Sequence, residues 1–166
     1  MSNTVVLIAC CGQKAETACA ARDLYRSQLF KKSVAYAERR GLAWAILSAE
    51  HGVVMPDDVV APYDVTLTTM SGAGRRSWAA ETHAALCLAF PGARYVVLAG
   101  KHYRAAVPVG HSQPEVPMAG MGIGEQLGFL TRDAAGAHDE IDDAPDATDA
   151  YLDRYGDTME EARGER

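Results

Sequence analysis

The sequence TVVLIA at Thr4–Ala9 decides the fold, because all six of its residues are β-branched or apolar. A short run of this kind is typical of a strand that is buried on both faces, as in parallel sheets. Residues 43–47 (AWAIL) and 94–99 (RYVVLA) have a similar character, and residues 24–40 and 78–89 show apolar positions at helical spacing. We therefore predict an α/β fold, a three-layer sandwich with a short, mainly parallel sheet of three or four strands flanked by helices.

Four smaller features complete the predicted architecture. Asp23 is placed to N-cap the helix at residues 24–40. Residues 71–74 (SGAG) predict a flexible break. Residues 116–118 predict a short fourth strand, and residues 125–131 predict a last helix after a glycine-rich turn.

Three loops are expected to meet at one edge of the predicted sheet. Right-handed crossovers bring the carboxyl ends of parallel strands to a common edge, and ligands of open α/β sheets bind there. The loops concerned are residues 10–14, 48–51 and 100–103. The longest irregular stretch, LSAEHGVVMPDDVVAPYD at residues 47–64, starts at this edge and is too rich in turn residues to predict regular structure.

The net charge of −6 is unevenly distributed along the chain. Residues 1–131 carry ten acidic and twelve basic residues, a net of +2, whereas residues 132–166 carry twelve acidic and four basic residues, a net of −8. We predict one domain at residues 1–132 and an acidic, mostly disordered tail at residues 133–166. A mildly basic body can bind a polyanion. The tail either solvates the protein or competes for the basic face.

The sequence also indicates which environments and cofactors to expect. No apolar run approaches the ~18 residues of a membrane span, and the amino terminus lacks a basic signal region, so a cytoplasmic location without membrane contact is expected. The four cysteines show no CxxC spacing and are expected to be free thiols. The histidines lack HxxxH or HxH pairs, so neither a metal nor another cofactor is implied. The oligomeric state is not indicated.

Five short motifs follow one another along residues 4–131: Cys11-Gly12-x-Lys14, Asp23-Leu24-Tyr25-x-Ser27, Ile46-Leu47-Ser48-Ala49-x-x-Gly52, Pro62-Tyr63-Asp64 and Gly122-Ile123-Gly124-x-Gln126-Leu127. In combination they resemble a bacterial, archaeal and phage domain family of unknown function. The resemblance implies a relation to domains that accompany archaeosine and queuine tRNA-ribosyltransferases. It also implies a more distant one to the uracil-DNA glycosylase superfamily, a three-layer α/β fold. Gly12-Gln13 is similar to part of the glycosylase Gly-Gln-Asp-Pro-Tyr loop, but Lys14 stands where the catalytic aspartate would be.

The candidate catalytic residues are His51, Glu50 and Asp64. Cleavage of an N-glycosidic bond passes through an oxocarbenium-like state, which needs a carboxylate to orient water or stabilise the cation. It also needs a proton donor for the departing base, and an imidazole beside an acid at a strand end supplies both. The alternative is that the two acids cap turns and that His51 is a polar loop residue.

Cys11, Gly12 and Lys14 are the first candidate substrate-binding residues. A glycine-containing turn at a strand end exposes backbone N–H groups to an anion, and a lysine adds a charge. A thiolate nucleophile is a rival interpretation, although no Cys-x5-Arg or Gly-Lys-Ser/Thr motif is present. The plainer alternative is a pair of small buried cysteines that end a strand.

The remaining candidate substrate-binding residues are polar side chains near the predicted sheet edge or at helix starts: Tyr25, Ser27, Ser48, Tyr63, Lys101 and Gln126. Ser27 and Lys101 are expected to hold phosphate, and Tyr25 or Tyr63 to stack on a base or sugar. Gln126 could read a base edge. The alternatives are a helix cap for Gln126, a surface position for Lys101 and a core position for Tyr25.

These residues support three hypotheses about function. The first is an enzyme that hydrolyses or exchanges the N-glycosidic bond of a nucleobase, with a nucleic acid or nucleotide as its transient partner. The second is a small-molecule nucleoside or nucleotide hydrolase or transferase. The third is a non-catalytic module that binds nucleotides. A net charge of only +2 on the body argues against tight non-specific binding to long DNA.

Overall fold

The computed structural model describes residues 3–109 and 113–136 of the 166-residue chain. Its strands are β1 (Thr4–Ala9), β2 (Cys19–Ala20), β3 (Ala43–Ser48), β4 (Gly52–Val54), β5 (Val59–Val60) and β6 (Arg94–Leu98). Its helices are α1 (Ala21–Leu24), α2 (Gln28–Arg39), α3 (Gly72–Ala89), α4 (Lys101–Arg104) and α5 (Ile123–Ala134). The described residues belong to the unit Met1–Gly136.

Four strands form the central sheet in the order β4-β3-β1-β6. β1 pairs in parallel with β3 and with β6, so that Val5 lies opposite Ala43 on one side and Tyr95 on the other. β4 runs antiparallel to β3 at the edge. The prediction of a short, mainly parallel sheet is therefore confirmed, and each predicted buried run forms a strand.

The sheet lies between two layers of helices because the side chains of β1 alternate between its faces. Val6 and Ile8 pack in one apolar cluster with Phe30 of α2 and Leu130 of α5. Val5 and Leu7 point the other way, into a cluster that contains Leu86 of α3. Burying one such aliphatic side chain stabilises the fold by about 1.5–3 kcal/mol. The predicted three-layer sandwich is therefore confirmed.

The predicted helix at residues 24–40 is divided in two. Tyr25, in extended conformation (φ −91°, ψ 119°), ends α1, and it forms a β-bridge with Lys14. α2 starts after Ser27, whose hydroxyl accepts a hydrogen bond from the Phe30 N–H at 3.2 Å. The prediction that Asp23 is the cap was wrong, because pairing of Tyr25 with the loop after β1 interrupts the helix.

The stretch at residues 47–64 contains more regular structure than predicted. β4 pairs with β3, and β5 pairs antiparallel with β2. The Asp58 carboxylate closes the turn between β4 and β5 by accepting a hydrogen bond from the Met55 N–H at 2.8 Å. These strands are short and depend on partners distant in sequence, so local composition does not reveal them.

Three further predictions about local structure needed correction. Residues 71–74 do not form a flexible break: Ser71 caps α3 by accepting from the Gly74 N–H at 3.0 Å. Residues 116–118 are not a strand, and the pairing at this place is a single parallel bridge between Glu115 and Val96. The last helix is longer than predicted, because α5 continues to Ala134.

The predicted boundary at residue 132 stays a prediction, and the tail lies outside the described residues except for residues 133–136. The four cysteines, Cys10, Cys11, Cys19 and Cys87, are free thiols, as predicted. None of the helices within the described ranges combines the length and apolarity needed to cross a bilayer.

Candidate functional site

The ends of the three parallel strands lie at one edge of the sheet, and polar side chains from the following loops meet there. Cys10 follows β1, and its backbone N–H donates to the Leu47 carbonyl of β3 at 2.9 Å. The Cys10 Sγ atom is 3.3 Å from the hydroxyl of Tyr103, which lies on α4 after β6. The loops after β1 and β6 are therefore in direct contact.

At this edge of the sheet, side chains from separate loops contact the ring of Tyr63. The Lys14 Nζ atom lies over its ring, 4.3 Å from the centroid. The His51 ring meets it edge-to-face, with the centroids 5.2 Å apart and the planes at 87°. The Tyr63 side chain is half-buried, and Lys14 is half-buried too, whereas His51 is exposed. A cation and an imidazole from distant parts of the chain therefore converge on one aromatic ring.

A buried set of hydroxyl groups holds that ring from behind. The Ser48 hydroxyl donates to the Tyr63 oxygen at 2.8 Å, and the Tyr25 hydroxyl is 2.9 Å from the same oxygen. Ser48 and Tyr25 are 0% and 1% exposed. The ring of Tyr25 packs against Phe30 at a centroid distance of 4.9 Å, so only its hydroxyl reaches the site. Tyr25 and Ser48 are therefore buried beneath the surface of the site, whereas Tyr63 forms part of that surface.

Burial raises the pKa values of three phenol groups and one thiol in this region. It raises the pKa of Tyr63, and the nearby Cys10 thiol raises it further. Burial likewise raises the pKa values of Tyr25 and Tyr103. It also raises the pKa of Cys11, against the opposing effect of the hydrogen bond with Ser27. A protonated Cys11 thiol argues against the thiolate-nucleophile interpretation, because the thiolate is the reactive form.

The loop after β1 brings Lys14 to the site by pairing with the residues that precede α2. The Ala15 N–H donates to the Leu24 carbonyl at 2.7 Å, and the Arg26 N–H donates to the Gln13 carbonyl at 2.8 Å. These two bonds enclose the β-bridge between Lys14 and Tyr25. The backbone under the Lys14 ammonium is therefore fixed on both sides.

Gly12 allows this loop to pass close to the start of α2. Its φ of +76° is in the region that favours glycine, and an added Cβ atom would lie 2.7 Å from the Ser27 Cβ atom. The Cys11 Sγ atom is 3.3 Å from the Ser27 hydroxyl oxygen, which also caps α2. Cys11, Gly12 and Ser27 therefore pack together beside the site, and the Ser27 hydroxyl already has two partners.

The candidate acids, Glu50 and Asp64, make no described polar contact with the site through their carboxylates. Glu50 and Asp64 are exposed, and within the described ranges neither carboxylate has a hydrogen-bond or ion-pair partner. Both flank the central pair in sequence, since Glu50 precedes His51 and Asp64 follows Tyr63. Either carboxylate can therefore move toward a bound molecule without breaking a hydrogen bond or ion pair to the described residues.

Lys101 and Gln126 lie apart from the Tyr63 group in the described contacts. Lys101 is the exposed first residue of α4, directly after β6. The Gln126 side-chain amide donates to the Met121 carbonyl at 2.8 Å, and the Gln126 backbone N–H donates to the Gly122 carbonyl at 3.0 Å. These contacts favour the alternative in which Gln126 stabilises the start of α5.

Trp78 and Tyr103 contribute to the site, although neither is among the candidate site residues predicted from the sequence. Trp78 of α3 is buried, and its indole N–H donates to the Ser48 carbonyl at 2.9 Å. Its ring meets Tyr103 edge-to-face at a centroid distance of 5.6 Å. The sequence offered only a general indication of this role of Trp78, because any buried indole N–H needs a hydrogen-bond acceptor.

A shallow cleft of about 310 Å3 adjoins His51. It lies between β4 and β5 and is lined by His51, Val53, Val54, Asp58, Val59, Val60 and Ala61. Ligand pockets commonly start at roughly 300 Å3 and combine apolar walls with a few polar groups. Among the described residues, no group of three His, Cys, Asp or Glu side chains is arranged to hold a metal ion.

Comparison with known proteins relates the chain to a family but to no characterised activity. No curated protein and no solved structure gives a significant match. The family model that matches covers residues 5–132, which includes every strand apart from the first residue of β1, and nearly all of α5. The chain therefore belongs to the family of unknown function DUF6884.

Proposed function

We propose that this protein acts at the N-glycosidic bond of a nucleobase, which it hydrolyses or exchanges in a nucleotide or a nucleic acid. The observation that carries the proposal is the convergence of the Lys14 ammonium and the His51 imidazole on the Tyr63 ring. The side chain proposed to bind phosphate, Lys14, and the proposed proton donor, His51, are thereby close together. A phosphorylated sugar with a departing base requires both groups.

Each side chain has a role in this chemistry. Lys14 binds the phosphate as a point charge. His51 transfers a proton to the base as the bond to the sugar breaks, and the electron pair of that bond leaves with the base. Asp64 or Glu50 stabilises the oxocarbenium-like sugar or orients the attacking water. Both carboxylates are exposed beside the central pair and free of described partners, so both are available for this role.

The cleft beside His51 is the proposed place for the base. Its valine side chains offer apolar walls, and Asp58 supplies a carboxylate whose Oδ2 atom accepts from the Met55 N–H. The other oxygen of Asp58 is free to accept from an amino or ring N–H group of a base. Because Lys14 covers one face of Tyr63, a base could stack on that face only if Lys14 moved.

The resemblance to domains that accompany tRNA-ribosyltransferases, and to uracil-DNA glycosylases, supports the same class of bond and a modified base as one substrate. The body charge of +2 favours a nucleotide or a brief encounter with a polymer. Salt distinguishes the two. Binding to a polymer falls steeply with the logarithm of salt concentration, whereas binding to a nucleoside does not.

The test is to incubate the full chain with modified and unmodified DNA, tRNA and nucleotides, and to measure free base by mass spectrometry. We expect one substrate class to release base, and His51→Ala to slow release by roughly 10²–10⁴-fold, the usual contribution of a general acid. His83→Ala is the matched control, because His83 is exposed on α3, outside the contacts that form the site. No free base from any substrate at high protein concentration would refute the proposal.

One observation favours a second candidate, a module that binds nucleotides without catalysis. The His51 imidazole has no described carboxylate partner, whereas general bases and acids are commonly oriented by such a group. For this candidate, nucleotides bind the wild type and His51→Ala with equal affinity, and neither protein releases base. Lys14→Met lowers the nucleotide affinity under either candidate function.

A further inference from the structure

The Ser48 hydroxyl group connects the two halves of the candidate site. It accepts hydrogen bonds from the backbone N–H groups of Glu50 and His51, at 3.2 and 3.0 Å. It donates its own proton to the Tyr63 oxygen at 2.8 Å. The segment that carries His51 and the ring that His51 contacts are therefore attached to the same oxygen atom.

This oxygen has no capacity left for a ligand. A serine hydroxyl offers one donor and two acceptor positions, and the three hydrogen bonds use all of them. The side chain is 0% exposed at the end of β3. A substrate therefore does not touch Ser48, although the sequence placed it among the substrate-binding residues. Any effect of Ser48 on a bound molecule must act through its neighbours.

Ser48 is itself held firmly. Its carbonyl accepts the Trp78 indole N–H at 2.9 Å, which ties the end of β3 to α3. On the other side, the Tyr63 oxygen also contacts the Tyr25 hydroxyl at 2.9 Å, and the Tyr25 backbone forms the bridge with Lys14. A continuous path of hydrogen bonds and backbone pairing therefore runs from His51 through Ser48, Tyr63 and Tyr25 to Lys14.

We propose that Ser48 is a positioning residue, which holds the His51 imidazole against the Tyr63 ring and thereby sets its separation from Lys14. The geometric claim stands on the hydrogen bonds above. Its consequence for catalysis rests on the proposed function, so the experiment has one measurement that requires no substrate.

That measurement is the NMR spectrum of the His51 and Tyr63 rings in the full chain at one fixed pH. We expect nuclear Overhauser contacts between the two rings, and a ring-current shift of the His51 ring protons, in the wild type. In Ser48→Ala both are lost or greatly reduced. The matched control is Ser33→Ala, since Ser33 is 1% exposed and its hydroxyl donates to the Leu29 carbonyl at 2.8 Å within α2. Ser33→Ala keeps both signals.

A second variant decides the matter if Ser48→Ala does not fold. Tyr63→Phe keeps the aromatic ring but removes the oxygen to which Ser48 donates. We expect the His51 ring-current shift to change and the contacts between the rings to weaken. Contacts and shifts equal to those of the wild type, in either folded variant, would overturn the proposal.

Kinetics then separate this proposal from the proposed function. If the wild type releases base, Ser48→Ala is expected to lower kcat by roughly 10²-fold, the scale of a misplacement of about 1 Å, with a much smaller change in KM. Ser33→Ala leaves both constants unchanged. Equal losses in the two variants would show a merely structural role and refute positioning. If the wild type releases no base, the proposed function fails while the NMR result still decides the role of Ser48.

Discussion

The ammonium of Lys14 lies over the face of the Tyr63 ring, with Nζ 4.3 Å from its centroid. A lysine so placed gains about 0.5–1 kcal/mol from the ring when it is exposed and more when it is desolvated. The contact also holds a flexible side chain near His51 before any ligand binds. A phosphate group can then be bound with less ordering of the side chain than a free surface lysine would need.

Lys14 provides the most direct test of phosphate binding. Lys14→Met keeps the length of the side chain and removes its charge, so nucleotide affinity should fall. For a nucleic-acid ligand, the slope of log affinity against log salt should decrease by about one. Titrations at several salt concentrations measure both effects. Arg76→Met, an exposed cation on α3, is the control and should leave both unchanged. An unaltered affinity in Lys14→Met would contradict the assignment.

The buried and half-buried tyrosines of the site predict a loss of stability at alkaline pH. Burial raises the pKa values of Tyr25, Tyr63 and Tyr103 above the ordinary 10.0. Above pH ~10 these phenols ionise in the unfolded chain while they remain neutral in the folded protein. Their contribution is therefore fully present below pH ~10 and is lost as the pH rises further. Urea unfolding at a series of pH values measures the decline. Tyr63→Phe should make it shallower, and an identical decline would be evidence against this account.

Asp133 makes a prediction for the acid range, away from the site. The hydrogen bond from Arg40, supported by one from Arg39 at 2.7 Å, holds the pKa of Asp133 at about 2, below the ordinary 3.8. This contribution is present above pH 3.8 and is lost as the pH falls through about 2. We expect Asp133→Asn to lower the free energy of unfolding at pH 7 by about 1–2 kcal/mol, and to have a smaller effect at pH 2.

The control for Asp133 is another ion pair. Asp57 pairs with Arg22 at 2.8 Å, but its side chain is 84% exposed, against 11% for Asp133. Exposed pairs contribute little because water screens them. Asp57→Asn should therefore be close to neutral in the same unfolding experiment. Equal losses in the two variants would show that burial of the carboxylate is not what matters.

Replacement of Gly12 is expected to cost stability through a steric clash as well as through its backbone angle. Gly12→Ala combines a φ of +76° with a Cβ atom 2.7 Å from the Ser27 Cβ atom, and we expect a loss of about 2–4 kcal/mol. Gly41→Ala is the matched control, since Gly41 has a φ of +61° and open space around it. It should cost only about 1–2 kcal/mol. Denaturant unfolding of both variants gives the difference, and equal costs would contradict the close approach seen here.

Much of the fold could be predicted because the strongest local signals are those of burial. Residues buried on both faces of a central strand must be apolar at nearly every position, so the runs that became β1, β3 and β6 are visible directly. The positions of helices follow from spacing in the same way. The start of α2 does not, because Tyr25 is removed from the helix by pairing with Lys14, which lies eleven residues earlier.

The sequence by itself determined the three parallel strands and the main helices, and it placed His51 and Lys14 in loops that leave parallel strands. Only the tertiary structure decided that both reach Tyr63, and that Ser48 is a buried support with no surface to offer a ligand. The physical reason is that hydrogen bonds such as those from Ser48 to Tyr63 and from Trp78 to Ser48 join residues 15 and 30 positions apart. Such contacts depend on how strands and helices pack, and the spacing of residues along the sequence does not indicate them.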